Sequence, residues 1–485
     1  MKFDITVEPW LPVKTLSGDT KDVSLLEILE EAHQLKAIDG LNPMEEYSVL
    51  RFLSVFLTAV FRPETWENKL ELLDEGRFDL EKIRGYIAMC RAEGVSFDIF
   101  DEKRPFMQAT PDPKYDQDKN LKSPAILDST RASGNNHMHY DHTPEDSVVL
   151  SPAEAFRGLL AAQIFCTAMS GGYPSNVCGA PPVFYLTKGD TLFESLALAM
   201  MTNASKGPNN AELWRNPAEI IPKEEVTSVS GLYGMFFPAR RIRLLEDGGI
   251  VKQVYYQPGL HFTGFAGWTD PHVAYRLNKD NAMVSVKPNL DRESWRNLGT
   301  IAAGFAGNEQ GVPKILKEYG KILDEREQTK MEVMTFGAVT SQASYHDLQR
   351  GTFTMDTRVA KSVQKASAVS EAAAVMDEVG GVLQKQLRQM ISEDKRGEND
   401  VQNLIHAYYT KCEPVFYALS DEAATLEEDK LPETVEKWKG DVVRLVREIF
   451  DEAQEIYCST SAELFRAEKA RKWFHIEIGK RMKGR

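Results

Sequence analysis

Apolar and polar positions alternate at the start of the chain, with Phe3, Ile5 and Val7 set against Asp4, Thr6 and Glu8. A period of two predicts a half-buried strand. The prolines of Glu8-Pro9-Trp10-Leu11-Pro12-Val13 predict its end, because proline supplies no ladder donor. Ser24-Leu25-Leu26-Glu27 has the spacing of a capping box and predicts a helix to about Leu35. Asn42-Pro43 opens a strongly apolar helix in which Tyr47, Leu50, Leu53, Phe56, Leu57 and Val60 share one broad face. A third helix is predicted over 80–93.

From residue 95 to about 357 the pattern is mixed. Val183-Phe184-Tyr185-Leu186 and Gln253-Val254-Tyr255-Tyr256 read as strands between Gly- and Pro-rich loops. Ser151-Pro152-Ala153-Glu154 predicts a helix to about Met169, closed by Ser170-Gly171-Gly172-Tyr173-Pro174. Beyond residue 357 strand signals fade and four long amphipathic segments follow, roughly 359–393, 400–419, 432–457 and 461–480, a pattern that favours an antiparallel bundle. The predicted fold class is α+β: a large mixed domain of short strands and helices over 1–357, then a four-helix bundle over 358–485.

A length of 485 residues, 42% hydrophobic and 27% charged, supplies full-sized cores without covalent staples. Five cysteines, none in a CxxC spacing, argue against a disulfide framework and a cysteine zinc site, and point to a reducing compartment. The start lacks the apolar run of a signal peptide. The best apolar stretch, Leu50–Phe61, contains Arg51 and is too short to span a membrane, so a soluble cytoplasmic protein is expected. The net charge of −14 argues against a lone DNA binder, because cations supply most non-specific affinity for phosphates. It is neutral about a subunit whose partners supply that attraction. The last helix carries a basic tail from Lys469 to Arg485, which fits either a solvated helix end or a patch contacting phosphate or a partner.

No nucleotide-loop, dinucleotide, zinc-protease or nucleophile-elbow motif is present. The richest polar cluster is Gly134-Asn135-Asn136-His137-Met138-His139-Tyr140-Asp141-His142-Thr143. Consecutive loop residues rarely converge on one ion and no second cluster supplies further ligands, so a recognition loop is favoured over a metal site.

Taken in order, Glu8-Pro9-Trp10-Leu11-Pro12-Val13, Arg104-Pro105-Phe106-Met107-Gln108, Tyr140-Asp141-His142-Thr143-Pro144 and the helical C-terminus resemble one family. It is the large-subunit (CasA-type) family of Cascade, the type I-E CRISPR surveillance complex. The resemblance implies a non-catalytic subunit without metal or cofactor, acting in antiviral defence. It would recognise the protospacer-adjacent motif (PAM) in double-stranded target DNA, promote strand separation and R-loop formation, and help recruit a helicase-nuclease. Its further partners would be other Cascade subunits and the 5′ handle of the CRISPR RNA. Reading of the target itself is left to base pairing, a division of labour known from another CRISPR effector.

Three elements carry over. Asn135, Asn136, His139, Tyr140, Asp141 and His142 match the loop near the guide RNA and the PAM, where an aromatic stacks and polar side chains bond bases or phosphates. Met169, Ser170, Gly171 and Gly172 match a glycine loop entering the minor groove. Ser341, Gln342 and Ala343 match the wedge below the PAM, with Gln342 entering the stack. The chain also departs from the family pattern. Gln257-Pro258-Gly259-Leu260-His261 lacks the PAM-contacting lysine of some members, leaving Lys252 or His261 as substitutes, and Ser151 and Glu154 stand where others have zinc cysteines. Two other readings are a metal-dependent nuclease or hydrolase using the His137–His142 loop, and a pure assembly scaffold.

Overall fold

The computed structural model describes residues 2–128, 130–131, 147–204, 212–215, 219–264, 268–280, 282–289, 294–307, 311–341, 344–391 and 395–482. The alternating start does not form the first strand. The Asp4 carboxylate accepts from the Thr6 amide (2.9 Å) and hydroxyl (2.6 Å), and the Asp4 carbonyl accepts the amides of Val7 and Glu8. These local bonds curl the chain into a turn, in competition with a ladder. The strand is Leu11–Thr15, the centre of a three-stranded sheet between Thr20–Val23 and Leu35–Ile38. Pro12 is tolerated there because pairing with Leu35–Ile38 runs from Val13 to Thr15. Trp10 is 1% exposed, donates to the Ile5 carbonyl and meets Phe52 and Phe156 edge-on, so the opening motif is a core anchor.

The capping box at Ser24 forms, but its helix is Leu25–Glu31; the residues up to Leu35 turn into a short 3-10 segment and a strand. Asn42 caps the helix Pro43–Phe61, which is buried on nearly every side and carries Arg51 into the interior. The third expected helix is Leu80–Ala92, and a further one, Trp66–Glu75, precedes it. The expected strands appear as Phe184–Thr187 and within Ile250–Pro258. The latter pairs with Arg240–Asp247, a strand that its charges conceal in the sequence. Lys330–Ser341 lies between Phe184–Thr187 and Ser344–Asp356 in a third sheet.

The described chain divides into two compact units. The first is Met1–Leu290, Pro313–Ile322 and Glu332–Arg350; the second is Asp291–Val312, Leu323–Met331 and Gly351–Arg485. This differs from a single cut after residue 357, because the helix Ser294–Ala306 packs along Val363–Met390. Gly299 permits that approach: a Cβ there would stand 2.3 Å from the Cβ of Ala373. Val363–Met390 also packs against Lys395–Thr425, Leu431–Tyr457 and Ser461–Met482, the four long helices expected from the periodicity. The fold is α+β with a helical C-terminal bundle. Among the described residues no helix is long and apolar enough to cross a membrane.

Candidate nucleic-acid interface

The helix expected to reach Met169 stops at Ile164. One carbonyl near its end and one beyond it are taken by other donors. The Gln163 carbonyl accepts from the Asn176 amide group (3.1 Å), and the Thr167 carbonyl from Arg240 Nη2 (2.6 Å). The glycines are therefore not a helix cap. Met169 and Tyr173 pair as an isolated bridge, closed by a Met169 N–H to Tyr173 carbonyl bond of 3.1 Å, with Ser170-Gly171-Gly172 as the exposed turn between them. Gly171 and Gly172 both hold left-handed φ, +82° and +81°. Side chains with a Cβ adopt that region at a cost of about 1–2 kcal/mol.

Below the turn lies Arg240, 0% exposed. Its guanidinium donates to the carbonyls of Thr167 and Pro174 on either side of the turn (both 2.6 Å) and to the Tyr256 hydroxyl (3.0 Å). It also lies 5.2 Å from the Tyr173 ring centre, and Tyr173 stacks on Tyr256. Gln163 fixes the Arg240 backbone through both ends of its side-chain amide. Burial pushes the phenols of Tyr173 and Tyr256 above the usual tyrosine range, so they remain protonated.

The strand Ser344–Asp356 reaches the same cluster. The Tyr345 hydroxyl donates to the Phe165 carbonyl (3.0 Å), just ahead of the glycine turn. Ser341 is the exposed end of Lys330–Ser341, and the strands on either side of Gln342 and Ala343 are neighbours in the sheet. Gln342 and Ala343 themselves lie outside the described residues, as do Asn135, Asn136, His139, Tyr140, Asp141 and His142. Two of the three expected elements, the glycine turn and the base of the wedge segment, are thus joined through one buried cluster.

A cation reaches the turn from a segment that carries no signal in the sequence. A Cβ on Gly172 would stand 2.8 Å from Lys223 Cε and Nζ, so the exposed Lys223 side chain lies against the glycine backbone. Lys223 holds φ +69°, fixed by its N–H bond to the Gly259 carbonyl (2.8 Å). Lys252, in contrast, pairs with Asp247 at 2.8 Å, and His261 lies exposed in a two-stranded pair opposite Glu225. Sequence reasoning missed Tyr173, Lys223, Arg240, Tyr256 and Tyr345; only Tyr173, beside the two glycines, had a local signal. Among the described residues no group of three or more His, Cys, Asp and Glu is placed to hold a metal ion.

Residues 4–449 match the family model described as CRISPR-associated protein Cse1. The chain belongs to the Cse1 family. A curated Cse1-family relative, the CasA/Cse1 protein of Thermus thermophilus, is 27% identical over 414 residues, which is 82% of this chain and 80% of the relative. The solved structure of Thermus thermophilus CasA (Cse1) is similar over 99% of both chains, with a TM-score of 0.77 at 21% identity. Thermobifida fusca Cse1 is similar at a TM-score of 0.73 and 19% identity, over 99% of this chain and 98% of that one. A chain from a structure titled as a CRISPR RNA-guided surveillance complex scores 0.74 at 19% identity, covering 98% of this chain and 99% of that one. In this Cse1-family chain the segment entering the glycine turn is held by Arg240 at Thr167 and by Tyr345 at Phe165.

Proposed function

We propose that the chain is the non-catalytic large subunit of a type I-E Cascade complex, recognising the PAM in target duplex DNA, promoting strand separation and R-loop formation, and helping to recruit a helicase-nuclease. The observation that carries this reading is the shared anchoring of the glycine turn and the wedge segment by Arg240 and Tyr345. The exposed turn presents backbone and a cation to a narrow groove. In the minor groove the base pattern is degenerate, so such a turn reads a PAM permissively. Lys223 supplies the positive charge that other members take from a lysine near Gly259.

The mixed region over 1–357 carries the DNA-reading loops, and the bundle over 358–485 completes the subunit. Asn135, Asn136, His139, Tyr140, Asp141 and His142 contact the 5′ handle of the CRISPR RNA and the PAM-proximal DNA. Other Cascade subunits supply the general attraction for phosphates that a chain of net charge −14 lacks. The site of action is the cytoplasm. Gln342 enters the stack below the PAM, an insertion that costs a few kcal/mol and is offset by the contacts it permits.

The expected result for Gln342→Ala is a complex that assembles with guide RNA normally but opens target duplex about ten-fold more slowly. Permanganate footprinting of the PAM-proximal thymines reads this directly. Opening at the wild-type rate would remove the wedge assignment and leave an assembly scaffold.

A further inference from the structure

The last helix carries more aromatic and cationic surface than its packing uses. Ala467, Ala470, Phe474 and Ile478 form its buried spine. On the helical repeat, Phe465, Lys469, Trp473 and Ile476 fall together on the outward side. Phe465 is 74% exposed and Trp473 45%. Between this helix and Val363–Met390 runs a groove of about 450 Å³, lined by Lys385, Gln386, Arg466, Lys469, Trp473 and Glu477 among others.

Its charge is one-sided. Glu477 is already held by Lys480 and Arg481. Lys385, Arg466 and Lys469 pair with no carboxylate among the described residues. A second observation is independent of charge. Gln386 is 1% exposed, and its Oε1 has no hydrogen-bond partner. Buried acceptors in folded proteins are nearly always satisfied, so this one is left for a donor that the described residues do not supply, a water or a ligand.

We propose that this groove binds a single-stranded nucleic-acid segment. Phosphates would lie against Lys385, Arg466 and Lys469, one base on the Trp473 indole, and a base amino group or sugar hydroxyl would donate to Gln386 Oε1. A nucleotide brings an anion, a flat π-face and an N–H or O–H donor within one repeat, and all three are what the groove lacks. A duplex hides its base faces in the stack, so the single strand is favoured. The site belongs to the bundle alone and does not depend on the glycine turn.

The test is fluorescence anisotropy of the full chain at low salt with a labelled oligo-dC of about a dozen nucleotides. Trp473→Ala is expected to weaken binding about ten-fold, and Trp473→Phe to restore it to within about three-fold. Arg466→Gln with Lys469→Gln should lower the salt dependence by roughly 0.7 per cation removed. Gln386→Leu should weaken binding several-fold, whereas an amide with only a packing role leaves it unchanged. Gly171→Asp should bind the oligonucleotide like wild type, separating this site from the proposed PAM contact. Because Trp473 is half exposed, its truncation empties no core, and unchanged helical circular dichroism checks this. Unaltered affinity in the Trp473→Ala and double-cation variants would overturn the proposal. So would displacement of the oligonucleotide by an equal concentration of an acidic peptide, which would assign the groove to a protein segment.

Discussion

Asp270→Asn is expected to lower the unfolding midpoint of the N-terminal unit by on the order of 10 °C, a loss of about 3–5 kcal/mol. Asp270 and Arg51 form an ion pair of 2.7 Å in which neither side chain is more than 2% exposed. Arg51 also donates to the Tyr47 hydroxyl (2.8 Å) and the Met235 carbonyl (2.8 Å), while Asp270 accepts the His272 amide (2.9 Å). Burial alone would raise the Asp270 carboxyl; the charge and hydrogen bond of Arg51, together with the His272 ring and amide, outweigh this and hold it below the usual range. Removing the negative charge leaves a guanidinium buried without its partner, which is the costly half of a buried pair. Asparagine keeps the volume, so the loss measures charge and not a cavity. Thermal unfolding followed by limited proteolysis of the N-terminal unit checks it.

The same cluster sets a pH dependence. Burial pushes His272 down to about 3, with Asp270 pulling it up and Arg51 pushing it down. The unfolded imidazole takes its proton near 6.5. Between about 6.5 and 3 the unfolded chain therefore binds the extra proton, and stability falls with falling pH, by up to ~1.4 kcal/mol per unit. Glu45 opposes this: burial lifts it to about 7, so its contribution grows as pH falls from about 7 to its unfolded value near 4.5. The two slopes nearly cancel from about 6.5 to 4.5, and the net loss appears below that, where Asp270 begins to lose its pairing as well. His272→Gln removes only the first slope. Its stability deficit against wild type should shrink as pH falls from 6.5.

Arg240→Met should cost about 2–4 kcal/mol and unfasten the glycine turn. The variant loses the guanidinium that satisfies the carbonyls of Thr167 and Pro174 and the hydroxyl of Tyr256 together. Amide exchange at Met169, whose N–H bonds across the turn to Tyr173, should accelerate far more than exchange in the bundle. Tyr345→Phe removes one hydrogen bond to Phe165 and should cost about 1 kcal/mol by itself. Since both changes act on the segment entering the turn, their combined cost should depart from additivity. Strict additivity with unchanged exchange at Met169 would mean that the hairpin and the turn are anchored separately.

Most of the helical architecture was legible in the sequence, for local reasons. The capping boxes at Ser24 and Ser151, Asn42-Pro43 and the long apolar periods after residue 357 all form as helices because cap chemistry and burial agree there. Where local chemistry misled, a distant partner or a closer polar group decided the outcome. Asp4 turned an alternating segment away from strand pairing, and the helix from Pro152 stops at Ile164, where Asn176 takes the Gln163 carbonyl, well before the glycines. Three arginines hide the strand Arg240–Asp247 in the sequence, yet Arg240 and Arg241 are buried against carbonyls and Asp116. The glycine turn and the wedge came from family resemblance alone, since polar and glycine-rich loops have no period to read. Lys223 lies about fifty residues from the glycines it covers, and nothing in its own neighbourhood marks it.

The glycine turn and its lysine are proposed to read the PAM. The direct measurement is the affinity of the guide-loaded complex for target duplexes with a matched and a scrambled PAM, for wild type, Gly171→Asp and Lys223→Gln. Gly171→Asp should lose about ten-fold or more on the matched duplex, through left-handed strain and a carboxylate facing phosphates, and part of the loss should fade with salt. Lys223→Gln should weaken binding with a salt slope smaller by about 0.9. In both variants the gap between matched and scrambled duplexes should narrow while assembly stays intact. Wild-type affinity and discrimination in both would mean that the turn does not read the PAM.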